Sequence, residues 1–393
     1  METAMDDSNI VQRLAALFNG SVGGVASALP RWLLPALARR DAPLMASVSV
    51  NRIHNLHRLF RERNQSMLDM FRFCSSATMH GSDVSAGKKE AEVATRTVTE
   101  DIYNMPIMSR SSHRDGSIFN RGLYWENNYC CDIADRTETL LDPMAGFEIP
   151  CNMMQIFSLK LAKTPMNSDA IQLYGYIAAR DEADYMLNYV FNRSRDDAII
   201  LQQGAFIEMT GPKRGIALSC DVLLEFDMRI KNGENEKDDV QLIDGVSEFK
   251  GLRMASRPLE VRIGGNYGAV DMSFARVDCA VGAVVEVVIS NVQTGFDLSL
   301  SSIISLVEVH EVHEEFQLFH GTVSESCVLR RFVIAISLDN MLRLKFKIGH
   351  KGSNSNIDRE ASFQSKQNGY ASHQINLELA SILVKVTWAA VPV

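Results

Sequence analysis

At Pro150 the apolar residues of this 393-residue chain change from helical spacing to strict alternation, and that change constrains the fold more than any other feature. Beyond it, Ile156, Ser158 and Lys160 interleave with Phe157, Leu159 and Leu161. Likewise Leu223, Glu225 and Asp227 interleave with Leu224, Phe226 and Met228. Successive side chains of a strand point to opposite faces, so a period of two predicts strands with one buried face. Further strands are expected at 171–179, 185–192, 206–209, 215–218, 241–249, 259–263, 280–292, 303–309, 316–318, 327–337, 342–348 and 374–388. Turn signals such as Thr210-Gly211-Pro212 and Asn232-Gly233 separate them at short intervals. Many short strands without helical periods between them predict a mainly β fold. The expected body is an antiparallel β-sandwich over 151–393, either one domain or two packed β subdomains divided near 251–257.

Residues 1–73 differ in kind and read as a helical or partly disordered extension. Ile10, Val11, Leu14, Leu17 and Phe18 recur at helical spacing, as do Ile53, Leu56, Phe60, Met67 and Phe71. Between Ser8 and Arg63 stand eight arginines and no lysine, against only Asp41 and Glu62. That bias resembles an organelle-targeting segment, although Glu2, Asp6 and Asp7 depart from it. Residues 74–150 read as a linker followed by an irregular lead-in. Gly81 to Lys89 fails as a phosphate-binding loop, because five residues separate Gly81 from Gly87-Lys88 and a lysine replaces the magnesium-holding hydroxyl.

Charge and cysteine usage narrow the function. A net charge of −8 argues against sequence-independent nucleic-acid binding except through a local basic patch. Seven cysteines without a framework or a CxxC spacing read as mostly reduced thiols of an intracellular, cytoplasmic protein. No stretch reaches the ~20 apolar residues that a transmembrane helix needs.

Four segments then carry a resemblance: Gln155 to Lys160, Tyr174 to Asp181, Asn188 to Arg193 and Thr210 to Arg214, with the closing Val384 to Ala390. Together they resemble a plant domain of unknown function, abundant in grasses. That domain occurs alone and as the C-terminal part of a jasmonate-induced ribosome-inactivating protein of cereals. The resemblance covers roughly 150–393 and implies a role in stress or defence.

The chemistry expected of the residues is sparse. Ribosome-inactivating glycosidases are similar in a helix with Glu and Arg at i and i+3, and no glutamate here has an arginine three residues after it. His310 and His313 stand three apart in a strand context rather than at the i and i+4 helical spacing of zinc proteases. Arg180, Arg193, Arg195, Lys213 and Arg214 gather with Tyr174 and Tyr176, a composition suited to phosphate contact and stacking, and form the expected binding set. Asp181, Asp196, Asp197 and Asp238 fall in expected turns and form the expected metal set, whose ion would be calcium. No cofactor motif is complete, so none is expected. The leading expectation is a non-catalytic interaction module with a protein partner. The alternatives are a relative of the ribosome-inactivating glycosidases and a calcium- or ligand-binding sandwich that contacts membranes.

Overall fold

A computed structural model describes residues 102–119, 150–164, 170–183, 186–251, 256–307, 311–350 and 356–389. The chain divides into two compact units, 1–86 and 87–393, and the described residues belong to the second. The helices expected at 10–18 and 53–71 lie outside them, as do Trp125 and the Cys130-Cys131 pair. Among the described residues no helix is long and apolar enough to cross a membrane.

Nineteen strands are described. The first seven are β1 (Tyr103–Met105), β2 (Cys151–Lys163), β3 (Ile171–Arg180), β4 (Asn188–Arg193), β5 (Ile199–Leu201), β6 (Phe206–Ile207) and β7 (Ile216–Ala217). Next come β8 (Val222–Ile230), β9 (Val240–Phe249), β10 (Leu259–Gly264), β11 (Ala269–Ser290), β12 (Phe296–Val307) and β13 (Glu311–Val323). The last six are β14 (Cys327–Val328), β15 (Phe332–Ser337), β16 (Met341–His350), β17 (Asn356–Gln364), β18 (Asn368–Asn376) and β19 (Ser381–Ala389). The mainly β, antiparallel body expected from the period of two is therefore present.

Among the described residues the strands form three sheets. The largest has ten strands and runs β1-β10-β11-β19-β18, with β2, β14 and β15 also on β11, and β6 and β7 on β2. A five-stranded sheet runs β4-β3-β8-β9 with β5 on β3, and a four-stranded sheet runs β13-β12-β16-β17. The five-stranded sheet ends its run of strands with β9 at Phe249, and the ten-stranded sheet resumes with β10 at Leu259, on either side of the division expected near 251–257.

The 22 residues of β11 are the spine. Its first half pairs with β10 and β2, and its second half pairs with β15 and β14 on one edge and β19 on the other. Sequence neighbours along this sheet enter different cores. Met154, Ile156 and Phe274 pack with the five-stranded sheet, among Leu173, Ile177, Leu224 and Phe226. Met153, Phe157 and Ala275 pack with the four-stranded sheet, among Phe296, Leu300, Leu344 and Phe346. Because adjacent strand residues face opposite ways, the large sheet gives one face to each core. That explains the nearly unbroken apolar run Met153, Met154, Ile156, Phe157, since a strand covered on both faces loses its alternation.

Three expectations change in detail. β11 begins 11 residues before the expected Ala280, because Asp271, Arg276 and Asp278 interrupt its apolar pattern. These charges are answered locally: Arg262 of β10 donates to both oxygens of its register partner Asp271 at 2.7 and 2.8 Å, and Arg276 Nε lies 2.8 Å from Asp278 Oδ1. β17, where no strand is expected, is an edge of the four-stranded sheet, and Asp358, Arg359 and Glu360 discourage further pairing there. The single strand expected at 374–388 is two, β18 and β19, joined by a turn in which Leu377 N donates to Ala380 O at 2.9 Å.

Candidate functional site

Within the lead-in, Ile102 to Phe119 form a largely irregular strap that lies across the five-stranded sheet. Its β1 pairs parallel to β10. Met108 N donates to Val246 O at 2.8 Å, Ser247 Oγ to Pro106 O at 2.9 Å, and Val246 N to Ser111 Oγ at 3.0 Å. Gly245 makes this approach possible. Its φ is +129°, and a Cβ there would stand 2.5 Å from Ile107 Cγ2 and 2.7 Å from Ser111 Oγ.

The strap ends in a tight turn, Ser111-Ser112-His113-Arg114-Asp115-Gly116, wrapped around the Asp244 carboxylate. Asp244 accepts from Ser112 Oγ at 2.5 Å, from the backbone N–H of His113 at 2.9 Å and of Arg114 at 3.2 Å, and from His113 Nδ1 at 2.7 Å. The other ring nitrogen of His113, Nε2, lies 3.0 Å from Glu225 Oε1. Glu225 Oε1 also accepts from the Tyr176 hydroxyl at 2.6 Å, and Oε2 accepts from Arg180 Nε at 2.9 Å. Glu225 is 1% exposed and Arg180 fully buried. One imidazole therefore bridges two carboxylates, beneath a turn that shields all three from water.

Such an imidazole holds its second proton firmly. Burial opposes the charge, but the hydrogen bonds to Asp244 and Glu225 and the charges of Glu225 and Asp227 outweigh it, raising the His113 pKa from 6.5 to about 9. Asp244 is correspondingly held down at about 2, because its donors overcome the burial that would raise it. The sign follows from linkage. A raised histidine pKa contributes stability in full below 6.5, and that contribution is lost as pH rises through about 9. A rise of this size corresponds to about 3 kcal/mol. Urea unfolding of the wild type should therefore lose about that much stability between neutral pH and pH about 10, beyond the loss shown by His113→Gln. Parallel pH profiles for the two proteins would refute the assignment.

The residues expected to bind or to hold metal take up separate places. Arg180 and Tyr176 belong to the His113 cluster. Arg214 is buried and donates to both oxygens of buried Asp181, at 2.7 and 2.8 Å. Tyr174 Oη and Arg195 Nε both donate to Asp239 Oδ2, at 2.6 and 2.7 Å. Arg193 donates to Asp197 at 2.6 Å, and Lys213 is exposed, its backbone N–H bonded to Asn188 Oδ1 at 2.9 Å. Asp196, Asp197 and Asp238 are exposed on two short 3-10 turns, which Arg195 ties together by donating to Asp239 and to Gly233 O. Among the described residues no three His, Cys, Asp or Glu side chains are arranged to hold a metal ion. No sequence pattern points to His113, Glu225 or Asp244 as members of a site.

A family model described as a domain of unknown function, DUF6598, matches residues 153–386. The chain belongs to the DUF6598 family. The matched span begins within β2 and ends within β19, so it takes in both cores of the DUF6598 fold and leaves the strap outside it. No curated protein matches the sequence. Among solved structures, human GIVD cytosolic phospholipase A2 is similar at 10% identity and a TM-score of 0.21, over 61% of this chain and 33% of that one. The paired C2 domains, A and B, of Extended-Synaptotagmin 2 are similar at 8% identity and a TM-score of 0.21, over 66% of this chain and 98% of theirs. The chain thus spans about a third of the phospholipase's length. TM-scores this low establish neither a shared fold nor a shared activity.

Among the described residues Cys151 and Cys327 carry free thiols, and Cys279 is disulfide-bonded. Burial, with Glu182 and Asp181 nearby, pushes the Cys151 thiol far above its ordinary value and leaves it unreactive.

Proposed function

We propose that this DUF6598 protein is a non-catalytic interaction module that takes an extended, uncharged segment of a partner protein onto the β18 edge of its large sheet. The observation that carries this reading is β18 itself. Among the described residues it pairs only with β19, and its nine residues, Asn368 to Asn376, include no acidic or basic side chain other than His373, and no proline. Long edges are ordinarily blunted by charge or proline, as β17 is by Asp358, Arg359 and Glu360. An unblunted edge offers backbone donors and acceptors to an added strand.

The adjoining outer face supplies apolar contacts. Val328, Val288 and Leu383 stand side by side on three neighbouring strands and are 70%, 36% and 43% exposed, and Tyr370 on β18 is 71% exposed. The β18 edge itself carries no charge besides His373, and on the adjoining face Glu286 is already engaged by Lys385 and Arg331, which favours an uncharged segment. The buried chemistry of the His113 cluster fits the same reading, because both ring nitrogens are engaged by carboxylates and none is left to act as a base. A place in plant stress or defence responses rests on the resemblance to the grass domain. An intracellular, cytoplasmic site of action is supported by the free thiols of Cys151 and Cys327, while the Cys279 disulfide speaks against it.

Proline substitution tests the edge. Alternate strand residues turn their N–H groups to opposite edges, so of Ser372→Pro and His373→Pro one removes an outward donor and spares the β19 ladder. Its unchanged melting temperature identifies it. A partner held by the wild-type protein and weakened at least about tenfold by that variant is the expected result, equivalent to roughly one backbone hydrogen bond and its strand contacts. A self-association abolished by the same variant would name a second copy as the occupant. Partners held equally by both proteins would end the proposal.

A further inference from the structure

Glu208, just beyond β6, stands between two arginines that it holds poorly. Its Oε1 lies 3.5 Å from Arg330 Nε and its Oε2 lies 4.0 Å from Arg193 Nη2, whereas charge-assisted N–H···O bonds run at about 2.7–2.9 Å. The Nε atoms of both arginines are buried and have no hydrogen-bond partner. A buried cationic donor without an acceptor is costly, and native structures rarely keep two such donors in one place without a use.

Neither guanidinium depends on Glu208 for its position. Arg330 comes from the segment between β14 and β15, donates from Nη2 to Leu318 O at 3.1 Å, and lies with Cζ 4.4 Å from the centre of the Phe332 ring. Arg193 closes β4 and donates from Nη1 to Asp197 at 2.6 Å. Glu208 by contrast is 57% exposed. The two cations are near enough to disfavour each other: burial lowers the Arg330 pKa most, the charge and hydrogen bond of Glu208 oppose it, and the charge of Arg193 lowers it further. The arrangement is a preformed pair of forks with a weakly held carboxylate between them.

We infer that Arg193 and Arg330 form a binding site for a phosphate group, inorganic or as a phosphomonoester, and that Glu208 occupies the place of the oxyanion in its absence. A carboxylate offers two oxygens in one plane, and here it meets Arg330 at the long distance of 3.5 Å and Arg193 at 4.0 Å. A phosphate offers three or four oxygens in a tetrahedron, enough to accept from the forks and from both buried Nε donors, and the planar guanidinium is suited to such an acceptor. Glu208 swings out to solvent when the phosphate enters. This site is independent of the β18 edge, so either can fail without the other.

Titration calorimetry of the full chain with inorganic phosphate at low ionic strength tests the inference directly. Glu208→Gln removes the competing charge and is expected to tighten binding at least about tenfold, while Arg330→Gln and Arg193→Gln weaken it by a similar factor, the size of one charge-assisted hydrogen bond. Arg330→Lys keeps the charge but loses the fork, so it should also weaken binding while preserving the melting temperature. A second arm follows co-sedimentation with phosphatidylcholine vesicles with and without phosphatidic acid. Binding to inorganic phosphate alone identifies a soluble ligand. Retention on phosphatidic acid vesicles that both arginine variants abolish identifies a lipid headgroup. Absence of binding in both arms, or a Glu208→Gln protein that binds no more tightly than wild type, overturns the inference. Should the arginine variants not fold, the gain in Glu208→Gln decides alone.

Discussion

Glu225→Ala is expected to destabilise the protein by about 3–5 kcal/mol, the usual result of removing one partner from a buried, hydrogen-bonded charge cluster. Glu225 is 1% exposed, and its two oxygens receive the Tyr176 hydroxyl, His113 Nε2 and Arg180 Nε. Alanine removes all three acceptor contacts at once and leaves the buried Arg180 and the charged imidazole without this carboxylate. The effect also reaches the strap, because His113 then has only Asp244 to hold its charge. Urea unfolding measures the loss, and NMR titration of His113 should show its ionisation falling back from about 9 towards the ordinary 6.5. A loss below about 1 kcal/mol would place the cluster with exposed ion pairs, which contribute that little.

Asp181→Ala should cost a similar amount, about 3–5 kcal/mol, by a different route. Arg214 grips both Asp181 oxygens, and the backbone N–H groups of Ala217 and Ala183 donate to the same carboxylate, each at 2.9 Å. The Ala217 amide is buried, so the substitution strands a backbone donor as well as loosening a guanidinium. Asp181→Asn keeps the shape and one acceptor and should lose less. The control is Asp197→Ala. Asp197 is 64% exposed beside Arg193, so its removal should cost under about 1 kcal/mol. Equal losses for Asp181→Ala and Asp197→Ala in matched unfolding curves would contradict the burial argument.

The sequence made the strands with one covered face easy to find and hid the ones that depart from that condition. β3, β8, β9 and β16 lie within a residue or two of their expected positions, because each alternates between a core and a polar side. The first half of β11 was hidden by charges whose partners lie on neighbouring strands, Asp271 with Arg262 above all. β17 was hidden because an edge strand is selected to look unlike a strand.

The polar cluster illustrates the limit most clearly. Leu223, Glu225 and Asp227 share the polar phase of β8, so Glu225 reads as a solvated side chain. It is buried because the strap covers that face. The bond that fixes the strap, Ser112 to Asp244, spans 132 residues, and no local pattern announces it. Arg180 and Arg214 stand out in the sequence as binding candidates and Asp181 as a metal candidate, but only their partners distinguish an inward charge from an outward one. Arg330, in the other half of the body from Arg193, could be paired with it only in three dimensions.

The shared spine has a consequence for how such a protein can vary. Most proteins with two cores can be divided between them, with a linker as the hinge and each half retaining its own strands. Here β11 serves one core with its opening residues and the other with its closing ones. A single residue inserted near its middle would turn every later side chain over, presenting Glu286 and Val288 inward and Val285 and Val287 to solvent. The two halves are therefore bound to change together, as two rooms that share one load-carrying wall.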